Sequence, residues 1–177
     1  MNNSLKILFD EHEIIVNAID TAKSASSLIG KDDDLYVNII RQLITFFKTY
    51  ADQFHHYKEE VILFPEMSKR NELIAEGVIK EMFENHEDFR EMIRNIESHL
   101  NVKEFKAAQS LLEKYTEALL DHIAVENDEV FPIAETILDN AELEMIFYRF
   151  QDCDRDLGNI LKQDQVDISE YLRKQLV

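Results

Sequence analysis

The chain has 177 residues, a net charge of −17 and 45% apolar residues, which is the size and balance of one globular domain. So acidic a surface repels phosphate backbones, no apolar run is long enough to span a membrane, and the single Cys153 excludes internal disulfides and thiolate metal cages. We expect no nucleic-acid or membrane partner. Because the N-terminus has no basic start before its apolar residues, we also expect no secretory signal and a cytoplasmic location.

Apolar residues that recur every three or four positions predict the first two helices. The first is expected over residues 4–28. Gly30 and the run of aspartates after it separate the first helix from the second, which is expected over residues 34–64 and receives N-cap oxygens from that run. The second helix should end near Pro65, because a proline ring disrupts a helix interior.

The rest of the chain continues this pattern. The third predicted helix, over residues 72–99, has the most regular apolar stripe, and the fourth, over residues 103–131, ends at Pro132. Two further helical stretches are expected near residues 141–157 and 166–176, separated by a glycine and a polar segment.

Four long helices with short connections form an antiparallel bundle most simply. We therefore predict an all-α fold: an antiparallel up-down four-helix bundle over residues 1–140 and a C-terminal helical extension over residues 141–177, packed on or near the bundle. The extension either covers the bundle or forms a homodimer, and the sequence leaves both open.

The second and fourth helices carry the same motif, H-x3-E-x4-F-P, and the helix before each carries one histidine in its apolar stripe. Residues four apart lie on one face of a helix, so each His–Glu pair can reach one point in space. Imidazole nitrogen and carboxylate oxygen together suit iron, and also zinc or manganese. The six candidate metal ligands are His12, His55, Glu59, His86, His122 and Glu126.

Buried charge favours a metal over a hydrogen-bonded network of the same side chains. A neutral buried histidine needs only one partner, whereas a buried ionised glutamate costs several kcal/mol unless a charge offsets it. No lysine or arginine shares these helix faces in the predicted register, so we expect metal ions to supply the offsetting charge. A protonated hydrogen-bond network remains the alternative.

The adjacent His56 and Glu60 are the alternative to His55 and Glu59. On an α-helix, His56 shares a polar, solvent-facing side with residues such as Asp52, and the repeat register aligns the other pair with the motif of the fourth helix. Both observations favour His55 and Glu59.

These motifs resemble the hemerythrin-like, or HHE cation-binding, family, whose pattern is a His, an H-x3-E, a second His and a second H-x3-E over four helices. The segments HHxKEExxLFP and HxxxExxxxFP carry the resemblance, which covers residues 1 to about 138. It implies a non-haem di-iron centre with oxo or hydroxo bridging, in which the four histidines are terminal ligands and Glu59 and Glu126 are bridges.

Two positions depart from the oxygen-carrying hemerythrins. Those proteins have a fifth histidine where this chain has Arg90, and an aspartate, five residues after the last histidine, in place of Glu126. We therefore expect one iron to have fewer nitrogen ligands and an open position, which argues against pure reversible oxygen carriage. The aromatic residues expected to line an apolar pocket there are Phe9, Phe47, Tyr50, Phe54, Phe89 and Tyr115.

The leading functional hypothesis is a di-iron protein that binds or senses a small oxidant, dioxygen above others or nitric oxide. One alternative is an oxidoreductase that reduces peroxide or nitric oxide or aids iron–sulfur cluster repair. The chain is similar to the di-iron domain of the repair proteins, although their N-terminal cysteine pair does not occur in this sequence. A second alternative is iron storage, or iron sensing through a folding switch. Whether the protein turns over a substrate stays open.

Overall fold

Six helical rods follow one another in residues 2–176, the part of the chain that the computed structural model describes, and these residues form no strand. The first rod, α1, spans Asn3–Ser24, and a 3₁₀ turn over Ala25–Leu28 extends it. Gly30, with φ +77°, then turns the chain into the second rod. The predicted all-α fold, a four-helix bundle with a C-terminal helical extension, is confirmed.

The second rod, α2, changes its helical type along its length. It is α-helical over Asp33–Phe46, π-helical over Phe47–His56 and Glu59–Leu63, and α-helical again over Phe64–Arg70. The predicted end near Pro65 is therefore wrong. Proline sits in the first turn after the π segment, a position that tolerates a residue with no N–H.

The fourth rod also continues as a helix past its proline, Pro132, so the predicted end at residue 131 is also wrong. The third rod, α3, comprises Glu72–Ile74, the segment Ala75–Ile79 and Lys80–Asn101, and it is kinked at Gly77, whose backbone angles are not helical. The fourth rod, α4, comprises Phe105–Val125, the π-helical Glu126–Val130 and Phe131–Ile137.

Two helices form the C-terminal extension: α5 over Asn140–Leu157 and α6 over Asn159–Gln175. Gly158, with φ +111°, is the only residue between them. The polar segment predicted to separate the two helices is itself helical, because one glycine in this conformation is enough to turn the chain.

The apolar core is divided into two clusters by a polar layer. Along each of the first four rods, the predicted ligands fall between residues of one cluster and residues of the other. The first cluster includes Ile15, Phe47, Phe89 and Leu119, and the second includes Leu8, Leu63, Met82 and Val130. Leu172 of α6 joins the first cluster and Phe150 of α5 joins the second, so the extension packs against the bundle. No described helix is both long and apolar enough to cross a membrane.

Candidate metal centre

All six predicted ligand residues are buried in the polar layer, each no more than 3% exposed. Within the described residues, two sets of side chains place one ligand atom each within 4.8 Å of all the others. Group A consists of His12, His55, Glu59 and Glu126, and group B consists of His56, Glu59, His86 and His122. Glu59 is the one residue common to both groups. The structure thus brings the six predicted residues together, and their coordination of a metal stays a prediction.

The side-chain atoms that face one another in group A lack hydrogen bonds. His12 Nε2 lies 3.1 Å from Glu126 Oε2, and His55 Nε2 lies 3.4 Å from Glu59 Oε1. Nevertheless these two nitrogens and all four oxygens of the two glutamates have no hydrogen-bond partner. Buried polar atoms are nearly always satisfied in proteins, so this many unsatisfied atoms at one point fits a bound cation.

In group B two imidazole nitrogens point at each other. His86 Nε2 lies 3.0 Å from His122 Nε2, and His122 Nε2 lies 3.1 Å from Glu126 Oε1. Glu126 therefore also reaches the edge of group B. Nitrogen and oxygen atoms that converge in this way, with no lysine or arginine among them, form a donor set suited to a transition metal.

The other ring nitrogen of each histidine, Nδ1, faces a side chain outside the two groups. Such a contact fixes the ring and leaves Nε2 available to a metal. The sequence predictions did not identify these partners, although Glu11 and Asn127 each lie next to a predicted ligand in the chain. The distances from Nδ1 are 2.9 Å for His12 to Asn127, 2.9 Å for His55 to Glu11, 3.3 Å for His56 to Asp52, 2.8 Å for His86 to Glu60 and 3.4 Å for His122 to Asn85.

His56 is 3% exposed, so the prediction that it faces solvent is wrong. That prediction assumed an α-helix. In the π segment Phe47–His56, hydrogen bonds join residues five apart and each turn holds more residues, so His55 and His56 both face inward. The His56 ring stacks on His86 with ring centroids 3.8 Å apart. Glu60, its predicted companion, lies outside both groups and contacts His86 Nδ1 instead.

Arg90, which occupies the position of the fifth histidine of hemerythrins, holds two of the Nδ1 partners. Its guanidinium lies 2.7 Å from Asp52 and 2.8 Å from Glu60. These carboxylates contact His56 and His86. The expectation that one iron has fewer nitrogen ligands stays a prediction. Group B, next to Arg90, offers nitrogens from three histidines, one of which is His56.

The two motif glutamates differ in acidity. Burial and the nearby charge of Glu126 raise the pKa of Glu59 well above its usual range. Burial acts in the same direction on Glu126, but His122 and His12 outweigh it and lower the pKa of Glu126 well below its usual range. Burial also lowers the pKa of His86, and it lowers that of His55 to about 3. Both imidazoles are therefore neutral near pH 7, as metal binding requires.

A lysine is buried near the centre, contrary to the expectation that none shares these faces. Lys58 is fully buried, and its ammonium lies 2.6 Å from Glu11 Oε1 and 2.6 Å from Asp154 Oδ1. Its charge is therefore matched by other carboxylates, and it does not neutralise the motif glutamates.

A half-open cavity of about 350 Å³ reaches His56 from the surface between α2 and α3. Three of the six predicted aromatic residues line it: Phe47, Phe89 and Tyr115. The other three do not, because Tyr50 and Phe54 are buried elsewhere and Phe9 is half-buried. Besides His56 and the apolar Ile93, the remaining residues of the lining are polar: Lys48, Asp52, Gln53, Arg90 and Arg94.

Comparison with known proteins gave two matches. Residues 3–134 match the family model of the hemerythrin HHE cation binding domain. The chain is 29% identical over 129 residues to the probable iron-sulfur cluster repair protein of Haemophilus influenzae, over 68% of this chain and 56% of that protein. The chain thus spans little more than half the length of this relative. No solved structure matches. From the match over most of its length, the chain belongs to the hemerythrin HHE cation-binding domain family.

Proposed function

We propose that the chain holds two iron ions, one in each ligand group, and that it binds or senses a small oxidant, dioxygen or nitric oxide, at this centre. The observation that carries the proposal is the position of Glu59. Its carboxylate is the one common to both groups, and neither of its oxygens has a hydrogen-bond partner. One carboxylate can serve two cations, and two-metal sites have ions roughly 3.5–4 Å apart. Bound iron would supply the redox-active atoms at which such an oxidant binds.

The protein's own residues would fix the ligands and keep the centre dry. The Nδ1 contacts hold each imidazole with Nε2 turned inward, and the apolar clusters on either side exclude water. His56 stands at the boundary, because it belongs to group B and also lines the cavity. The cavity is therefore the path by which a small molecule would approach group B.

Metal content and the absorption spectrum test this proposal directly. Protein expressed with iron should contain about two irons per chain and show near-ultraviolet and visible bands of a bridged iron pair. If it binds dioxygen reversibly, an additional charge-transfer band should form in air and disappear under vacuum. Protein that carries no metal after expression with iron would instead identify the buried side chains as a protonated hydrogen-bond network.

The similarity to a probable iron-sulfur cluster repair protein favours a second candidate, a di-iron oxidoreductase that reduces peroxide or nitric oxide or aids cluster repair. The two candidates differ in turnover. A binding or sensing protein forms a stable adduct in proportion to its concentration. An oxidoreductase consumes peroxide or nitric oxide many times over when a reductant is supplied, and this consumption should disappear in the Glu59→Gln variant.

A further inference from the structure

A cluster of charges, two of them buried and two half-buried, lies beside group A on the side of the C-terminal helices. It consists of Glu11, Lys58, Asp154 and Lys162. The Lys162 ammonium contacts Glu11 Oε1 and lies 2.6 Å from Asp154 Oδ2, so each lysine is paired with both carboxylates. Buried charges are tolerated only when they are closely paired, so these four side chains hold one another in place.

The two oxygens of Glu11 have different partners. Oε1 accepts hydrogen bonds from both lysines, and Oε2 lies 2.9 Å from His55 Nδ1. A carboxylate bound by two ammonium groups can only accept hydrogen bonds. The proton must therefore be on His55 Nδ1, which leaves the lone pair of Nε2 directed toward Glu59.

The C-terminal extension supplies half of this cluster. Asp154 lies in α5 and Lys162 in α6, outside residues 3–134 that match the family. The Nδ1 partners of the other four histidines of the centre all come from the bundle itself. Glu11 also lies in the bundle, in α1, but it is the one Nδ1 partner for which the described residues show a contact with the extension, through Lys162.

We propose that Glu11 is a positioning residue for His55 and that the extension, through Lys162 and Asp154, holds Glu11 in place and so completes the metal centre. The proposal rests on the proposed function only in assigning His55 to a metal. The tautomer of His55 and the fixation of Glu11 are properties of the metal-free protein, and they can be measured without a bound ion.

The test is a long-range ¹H–¹⁵N correlation spectrum of metal-free, histidine-labelled protein, with His55 assigned from a His55→Asn variant. The wild type should show His55 as the Nδ1–H tautomer. Glu11→Ala should shift it largely to the Nε2–H form. In Glu11→Gln the two ammonium groups occupy the single amide oxygen, which turns the NH2 group toward Nδ1, so this variant of nearly equal size should also show the Nε2–H form. A merely space-filling role for Glu11 would instead leave the Nδ1–H form unchanged in Glu11→Gln. An Nε2–H tautomer in the wild type would overturn the proposal.

The contribution of the extension is tested by Lys162→Gln, a change at a partly exposed position that should not unfold the protein. The Nδ1 proton of His55 should exchange with solvent at least about tenfold faster, because Glu11 loses one of its two cations. Lys174→Gln removes the same charge from an exposed site on the same helix and should leave the exchange rate unchanged. Equal rates in the two variants would exclude a role for the extension.

Metal affinity then separates this proposal from the proposed function. By chelator competition, Lys162→Gln and Glu11→Ala should bind iron about 10- to 100-fold more weakly than the wild type, the usual effect of losing a partner behind a metal ligand. A wild type that binds no iron would contradict the proposed function but not the tautomer result. A wild type that binds two irons, with unchanged affinity in both variants, would contradict the positioning role alone.

Discussion

At the scale of single side chains, each histidine of the centre uses its two ring nitrogens for different purposes. Nδ1 contacts a carboxylate or an amide, and Nε2 of four of them, His12, His55, His86 and His122, lies near a motif glutamate. Among these glutamates, Glu59 combines the least favourable environment for a charge with membership of both ligand groups. Substitution of Glu59 should therefore have opposite effects on metal binding and on the stability of the metal-free protein.

We expect Glu59→Gln to lose most of the metal from both groups and at the same time to stabilise the metal-free protein by on the order of 1–3 kcal/mol. Glutamine has nearly the same shape as glutamate, but it replaces a buried carboxyl group that faces Glu126 with a neutral amide. Elemental analysis and urea unfolding measure the two effects. Glu60→Gln is the matched control and should keep both ions, with affinity weakened only through His86. Retention of about two irons by Glu59→Gln would contradict the shared role of this carboxylate.

His56→Gln should reduce the iron content toward one ion per chain, because group B loses one of three nitrogens while group A is unchanged. His99→Gln is the matched control: His99 lies near the end of α3, pairs with Glu104 and is outside both groups. If His56→Gln keeps two ions and an unchanged spectrum, the six residues of the repeated motif are sufficient and His56 only packs against His86.

The repeated motif predicted six residues of the centre because a His and a Glu four residues apart share a helix face in either helical type. His56 was weighed as an alternative to His55 and not chosen, because its burial depends on the π segment, which the α-helical period does not represent. Glu11 was missed for another reason. Its role depends on Lys58 and on Lys162, 151 residues away, and contacts at that separation leave no periodic signal in the sequence.

At the scale of helices, the motif itself indicates why the rods contain π turns. In E-x4-F-P the phenylalanine follows the glutamate by five residues, and its N–H donates to the glutamate carbonyl: Phe64 to Glu59 and Phe131 to Glu126. The next residue is proline, which has no N–H to continue the α-helical pattern. The predicted ends at the two prolines were wrong because this wider turn accommodates the ring.

Helix α5 begins with a capping box, in which the Asp139 side chain accepts from the Glu142 N–H and the Glu142 side chain accepts from the Asp139 N–H. We expect Asp139→Ala to lower the free energy of unfolding by about 1 kcal/mol, measured in urea, without changing the iron content. Asp156→Ala, at the other end of the same helix, removes an acid from the negative end of the helix dipole and should be neutral or slightly stabilising. A loss of iron in Asp139→Ala would mean that the start of α5 is coupled to the centre.

At the scale of the whole molecule, a layer of buried imidazoles and carboxyl groups separates two apolar clusters that would otherwise be one core. Each cluster includes residues from the bundle and from the extension, so each can hold the helices together without the layer. The layer lowers the stability of the metal-free protein, because it buries polar atoms without partners. Bound metal should offset this cost rather than create the fold.

Removal of metal by a chelator should therefore leave most of the far-ultraviolet helical signal but lower Tm by at least about 10 °C, since tight binding at two sites contributes several kcal/mol and 1 kcal/mol corresponds to roughly 2–4 °C in a chain of this length. The Glu59→Gln variant is the control, and its Tm should not change with chelator, because it has little metal to lose. The hypothesis of iron storage or sensing through a folding switch predicts the opposite for the wild type, a large loss of helix without metal. That outcome would mean that the two apolar clusters do not keep the helices folded by themselves and that folding requires metal bound in the polar layer.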